Sequence, residues 1–233
     1  MDLNERYNRQ LILSEIGEEG QARLQQARVL IVGVGGLGSP IALYLAGAGV
    51  GTIGLIDDDV VSESNLQRQV LYNETEVGLS KAEKAREHLQ ALNSHIRIKA
   101  YPERLTTENA ETIISRYDLI LDGCDNFATR YLINDTCVRL GKVYIYGAIR
   151  AFDGQVSVFN YQGGPDYRRL FPDEEEMYRM PHPPKGVLGV TPGLIGCAEA
   201  NEALKIIIGY GEVLNGKLWQ IDLKTLETFT ILI

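Results

Sequence analysis

The stretch ARVLIVGVGGLGSPIALYLAGAGVGTIGLIDDD, residues 27–59, reads as strand, glycine turn, helix, strand and acid. RVLIVG is the first strand. A helix is expected from about Leu37 to Ala48, ended by Gly49 and Gly51, and the second strand, TIGLID, ends at Asp57. Gly33, Gly35 and Gly38 form G-x-G-x-x-G between strand and helix. Glycines there let the backbone turn tightly and let phosphate approach the N–H groups at the positive end of the helix. Asp57 follows Gly38 at the distance, about 20 residues, where an acid takes the ribose hydroxyls of a nucleotide. Up to this point the stretch suits an NAD-dependent oxidoreductase as well as an enzyme that uses a nucleoside triphosphate.

Outward from this stretch, strands and helices keep alternating. Residues 5–27 predict one or two short helices interrupted near Gly17 and Gly20, and SKAEKAREHLQAL (80–92) predicts a solvent-facing helix. A strand near IRIKAY, a helix near 107–116, the strand DLILDG, a helix over 127–140 and the strand KVYIYG follow. GQVSVFN is a further strand. YQGGPDYRRLFPDEEEMYRMPHPPK (161–185) has little periodicity and five prolines, so it is expected as a long loop, with the acidic run Asp173–Glu176 solvated. A helix over about 192–208 and two short strands, GKLWQID and ETFTILI, finish the chain. The expected fold is a single α/β domain over residues 1–233, a Rossmann-like doubly wound, mainly parallel sheet with an antiparallel C-terminal extension. Its parts are N-terminal helices (1–27), a nucleotide-binding core (28–150), a crossover loop (161–185) and a C-terminal helix with strands (186–233).

Composition narrows the partners. A net charge of −8 over 233 residues argues against nucleic acid. Cys124, Cys137 and Cys197 form no CxxC pair, which fits free thiols in a reducing cytoplasm. The polar N-terminus offers no secretory signal, and no run of about 18 apolar residues predicts a membrane span.

The segment after Asp57 separates the two nucleotide readings. DDDVVSESNLQRQVLYNETEVGLSKAEKA brings Asn65, Arg68 and Lys81 close behind the acid. A dinucleotide needs few cations beyond the helix end. A triphosphate whose pyrophosphate must leave needs several, because charge builds on the leaving group. In LILDGCDNFATR, Asp125 with Asn126 lies just past a parallel strand, where ligands bind in open α/β sheets, and is a candidate for holding Mg²⁺ against phosphates. Asp122 is read as a cap for the following helix or a tie within the turn.

RYNRQ, GxGGLGSP, DDDVVSESNLQRQ, GLSKAEKA, DGCDNFATR and GVLGVTPGLIGCAEANEALK occur in this order. Through them the chain resembles the bacterial ThiF/MoeB/HesA family, relatives of the ubiquitin-activating enzymes, over nearly its whole length. The resemblance implies MgATP-dependent adenylation of the C-terminal glycine carboxylate of a small ubiquitin-like sulfur carrier ending in Gly-Gly, with release of pyrophosphate. Such enzymes serve thiamine thiazole or molybdopterin synthesis. The implied nucleotide contacts are Gly33, Gly35, Gly36, Gly38, Asp57, Asp59, Asn65, Arg68, Lys81, Asp125 and Asn126. Arg68 and Lys81 would hold phosphates, Asp125 the magnesium, and Arg9 would reach into the partner subunit's site of a homodimer. A non-catalytic carrier-binding module with a vestigial nucleotide site is the remaining alternative.

The chain departs from the family in two places. Where many members have the first CxxC of a zinc site, this chain has DYRRLF, with Asp166 and Arg169 at the thiolate positions. No structural zinc is expected, and whether the two opposite charges pair across that position is left open. The family's reactive cysteine falls nearest His182, so no covalent sulfur chemistry is expected in the crossover loop. Tyr161, Tyr167 and Phe171 are expected to form a narrow channel over the carrier's tail or, alternatively, a small core of the loop itself. Cys124 is placed near the nucleotide, and Cys137 and Cys197 are read as small buried residues.

Overall fold

The structure, a computed structural model describing residues 3–179 and 186–233, begins with two short helices. These are α1 (Leu3–Leu11) and α2 (Gly17–Gln26). Then come β1 (Arg28–Val32), α3 (Gly38–Ala48), β2 (Thr52–Ile56), α4 (Lys81–Leu92) and β3 (Arg97–Tyr101). α5 (Ala110–Ile114), β4 (Leu119–Asp122), α6 (Phe127–Leu140), β5 (Val143–Arg150) and β6 (Asp153–Phe159) follow. The chain ends with α7 (Tyr167–Leu170), α8 (Glu174–Arg179), α9 (Val190–Ile208), β7 (Lys217–Asp222) and β8 (Glu227–Leu232).

Local chemistry sets several of these boundaries. Ser80 and Asn126 cap α4 and α6 by accepting backbone N–H groups of Glu83 and Thr129. α3, α6 and α9 each stop at a glycine with positive φ (Gly49, Gly141, Gly209), a conformation that costs glycine nothing. Gly20 does not interrupt α2 as expected. It is buried inside the helix against Ile16 and Ile208, whose methyl groups would stand 3.1 and 3.0 Å from an added Cβ.

The eight strands order β3-β2-β1-β4-β5-β6-β7-β8. The first five are parallel and the last three antiparallel. α2, α3, α4 and α9 pack on one face and α5 to α8 on the other, giving two apolar cores separated by the sheet. β1 and β4 are buried almost throughout, which is why they read as short continuous apolar runs. β1 connects outward to β2 and β3, and the chain then crosses back to β4 on β1's other side. The strand order therefore reverses between β1 and β4. A crevice opens at such a point beyond the carboxyl ends of the strands.

The crossover segment is more ordered than its sequence suggests. α7 and α8 occupy part of the region expected as loop, and the acidic run lies largely within α8. Arg168 explains this, since its guanidinium bonds Asp135 of α6 and Glu174 of α8 and lies over the Tyr131 ring. Among the described residues no helix is long and apolar enough to cross a membrane.

Candidate nucleotide site

The glycine turn sits at the reversal point. Gly33 has φ +88° and lies against Gly123, so a Cβ on Gly33 would stand 2.6 Å from the Gly123 carbonyl oxygen. A Cβ on Gly38 would stand 2.1 Å from the Gly33 oxygen. The turn after β1 and the loop after β4 thus touch backbone to backbone, which only glycine permits. That contact sets Asp125 beside the turn.

Asp57, at the end of β2, accepts the Val34 N–H at 2.7 Å and the Asp59 N–H at 2.8 Å. Burial pushes its carboxyl above the ordinary aspartate range, opposed by those two donors and by Lys81. Each oxygen keeps a lone pair for a further donor such as a ribose hydroxyl.

The segment 60–81 folds back over the turn. Gln69 lies against Gly35, and the Arg68 side chain lies beside Gly36 while its guanidinium donates to the Ser64 carbonyl at 3.1 Å. Asn65 carries this bend, its carbonyl accepting the Gln69 N–H. Tyr72 donates to the Val34 carbonyl at 2.8 Å and reaches the Lys81 carbonyl at 3.3 Å, fastening the turn to the start of α4. Lys81 is 4% exposed, with its ammonium 2.9 Å from Asp59 Oδ2. Pro192, in the first turn of α9, closes over Gly36.

Asp125 is exposed and, among the described residues, has only a 3.4 Å contact from the Asn126 amide. Asn126 spends its side-chain oxygen on the cap of α6. Asp122 is the tie within the turn and not the helix cap. It accepts the Cys124 N–H at 3.0 Å, the Tyr144 hydroxyl at 2.9 Å and Arg130 Nε at 2.9 Å. This ion pair is almost completely buried, and removing one partner of such a pair costs about 3–5 kcal/mol. Cys124 lies beneath the site with its thiol on Asp122, and burial pushes that thiol well up.

Gly33, Gly35, Gly36, Gly38, Asp57, Asp59, Asn65, Arg68, Lys81 and Asp125 are thus gathered at one crevice. Arg9 is not. α1 is held at the far end of α3, where Gln10 donates to the Ala48 carbonyl. The 11 residues of α3 put that end about 16 Å from the glycine turn.

A family model for ThiF matches residues 7–233. The chain belongs to the ThiF family. It is 50% identical over 224 residues to a sulfur carrier protein adenylyltransferase of Thermus thermophilus, covering 94% of this chain and 83% of that protein. It is 49% identical over 225 residues to an adenylyltransferase and sulfurtransferase of Culex quinquefasciatus, covering 93% of this chain and 50% of the mosquito protein. This ThiF-family chain spans between 50% and 60% of its Porphyra, Culex and Mycobacterium relatives. Among solved structures, Escherichia coli MccB with ATP superimposes with a TM-score of 0.84 at 24% identity, over 98% of this chain and 71% of that one. The fold is accordingly Rossmann-type, as the alternation of elements predicts.

Other expectations for this ThiF-family chain are corrected, and one open point is resolved. Asp166 and Arg169 do not pair through their side chains. Asp166 instead caps α7, accepting the Arg169 backbone N–H, and meets the Asn134 amide. Tyr167 and Phe171 line no channel. They pack with Tyr131, Tyr144, Tyr146 and Phe159 in the core beneath the crossover, whereas Tyr161 packs against the opposite core. Cys137 is buried as expected, and Cys197 is half-buried. His182 lies outside the described residues.

Four contributors carried no role in the sequence reading: Gln69, Tyr72, Arg130 and Glu199. Gln69 and Arg130 stand inside NLQRQ and DGCDNFATR, but motif membership gives no contact. Glu199 of α9 is fully buried with no side-chain partner among the described residues, and burial raises its carboxyl well above the ordinary range against the Asp122 backbone and Arg130.

Proposed function

We propose that the chain adenylates the C-terminal glycine carboxylate of a small ubiquitin-like sulfur carrier, using ATP, in the synthesis of a sulfur-containing cofactor. The observation that carries this reading is the closure of the NLQRQ-to-Lys81 segment over the glycine turn. It gathers a buried ammonium and a guanidinium beside the glycine turn. Two cations exceed what a pyrophosphate held at a helix end requires and suit a triphosphate that must lose pyrophosphate. The carrier carboxylate, ionised at neutral pH, attacks the α-phosphorus. The bond to the β-phosphate oxygen breaks, and acyl-adenylate and pyrophosphate result. No general base is needed, so the work is alignment and charge stabilisation. Arg68 and Lys81 stabilise the departing pyrophosphate, and Asp57 orients the ribose.

The site fits a magnesium ion, since Mg²⁺ binds through one or two carboxylates plus substrate phosphates, and Asp125 stands exposed and almost unpartnered at the turn. When bound, the ion would neutralise phosphate charge. The Thermus relative named for sulfur carriers and the Porphyra relative named for molybdopterin synthase support this substrate class. Free Cys124, Cys137 and Cys197 suit a reducing cytoplasm.

The active unit is a homodimer in which Arg9 enters the partner's site, since in its own chain it stands at the wrong end of α3. Arg9→Ala and Arg68→Ala are each expected to abolish carrier-dependent ATP–pyrophosphate exchange. Co-refolded one to one, they should recover about a quarter of wild-type activity, because half the dimers then hold one intact site. No recovery despite mixed dimers would exclude the shared site. Wild-type protein that binds ATP but shows no exchange with any Gly-Gly carrier would leave only a binding module.

A further inference from the structure

The loop that presents Asp125 is held from beneath by a buried pair of side chains, Asp122 and Arg130. Arg130, on the first turns of α6 and 7% exposed, donates from Nε to Asp122 and from Nη2 to the carbonyl of Cys124 at 3.1 Å. The same nitrogen reaches the Gly147 carbonyl of β5 at 3.3 Å. Its guanidinium lies over Tyr146, 5.4 Å from the ring centroid, and near Phe127. The Cys124 carbonyl belongs to the peptide that leads into Asp125. Asp122 holds the Cys124 N–H while Arg130 holds its C=O, so both polar groups of that residue are fixed. Asp125 itself has no comparable anchor. A planar fork joining three segments is what this arrangement needs, and a lysine can supply only one point of charge.

The geometry points to Arg130 as the positioning residue that aims Asp125 at the phosphates of the nucleotide. This rests on the proposed function, which gives Asp125 its metal-holding role. Arg130 does not touch the substrate. It fixes the direction of the Cys124–Asp125 peptide, and an exposed carboxylate on a fixed peptide samples fewer positions than one on a loose loop.

The test is a cycle of Arg130→Lys, Asp125→Asn and the double variant, read by calorimetric ATP binding with Mg²⁺ and with EDTA. Arg130→Lys should lose at least tenfold of the metal-dependent gain in affinity while binding in EDTA stays within twofold. The double variant should be no worse than Asp125→Asn, because both act through one carboxylate. Arg168→Gln, which breaks an ion cluster remote from the turn, should lower the melting temperature and leave the metal-dependent gain unchanged. If Arg130→Lys fails to fold, Asp122→Asn, which frees the guanidinium from its Nε anchor, should give the same loss. An undiminished gain in a folded Arg130→Lys or Asp122→Asn protein, or additive losses in the cycle, would overturn the inference. Asp125→Asn with full metal-dependent gain would overturn the role of Asp125 as well. Absence of ATP binding by the wild type would overturn the proposed function itself.

Discussion

Lys81→Met is expected, on the proposed function, to lower carrier-dependent ATP–pyrophosphate exchange by about 10²–10³-fold, the loss seen when one fixed charge donor is removed from a preorganised site. Three observations make the effect large. The lysine is 4% exposed, so its charge acts at low dielectric and weakly screened. Its backbone is fastened on both sides, the N–H donating to the Asp59 carbonyl and the carbonyl facing the Tyr72 hydroxyl. Its ammonium is already oriented by Asp59, whose side chain is 68% exposed. On the proposed function an arriving triphosphate would meet a placed cation with a partner that solvent can take over. Methionine keeps the unbranched stem and the packing, so the folded state persists and the loss falls on the reaction. Exchange within threefold of wild type would remove Lys81 from the phosphate site. A parallel fall in melting temperature with normal activity would make it merely structural.

Glu199→Gln makes the protein more stable at alkaline pH. In the native state the carboxyl is fully buried and raised well above its ordinary value, first by burial and then by the Asp122 charge, against the opposing pull of Arg130 and the Asp122 backbone. The folded protein thus holds a proton that the unfolded chain has released. The stabilising contribution is complete below the unfolded value, about 4.3, falls as pH rises, and levels off beyond the raised native value. Within that window each pH unit removes about 1.4 kcal/mol, or roughly 3–6 °C of melting temperature for a chain of this size. Glutamine has nearly the same shape and no proton to lose. The two melting temperatures should lie close together near pH 5, with the variant increasingly ahead as pH rises through that window. The raised carboxyl of Asp57 acts in both proteins and cancels in the difference. A gap that does not change with pH would mean that Glu199 is ionised and paired in the native state.

Legibility in the sequence followed the range of the interaction. The helix expected over about 127–140 matches α6, whose ends are fixed by local signals, although its cap is Asn126 and not the Asp122 that the sequence offered. Gly33 and Gly38 were readable because a turn with positive φ and a close backbone approach admits few alternatives. Gly20 misled, since a glycine chosen for close helix packing looks the same in sequence as one that ends a helix. α7 and α8 were missed because Arg168 draws its partners from α6 and α8, and no local period announces that. The Asp166–Arg169 ion pair that the sequence left open does not form, for a related reason. An aspartate directly before a helix gains more from the backbone N–H groups it can cap than from an exposed charge three residues on.

The sequence alone determined the alternating α/β elements and the glycine turn. Each of these depends on a residue and its near neighbours along the chain. The tertiary structure decided which of those residues share one crevice. The strand order reverses between β1 and β4, and that reversal brings Asp125 to the glycine turn across many residues of intervening chain. The same topology carries Arg9 to the opposite end of α3 and turns Tyr167 and Phe171 into core. Pairing of β-strands is a choice among distant segments, made by burial on two faces of a sheet, and no local pattern encodes its outcome.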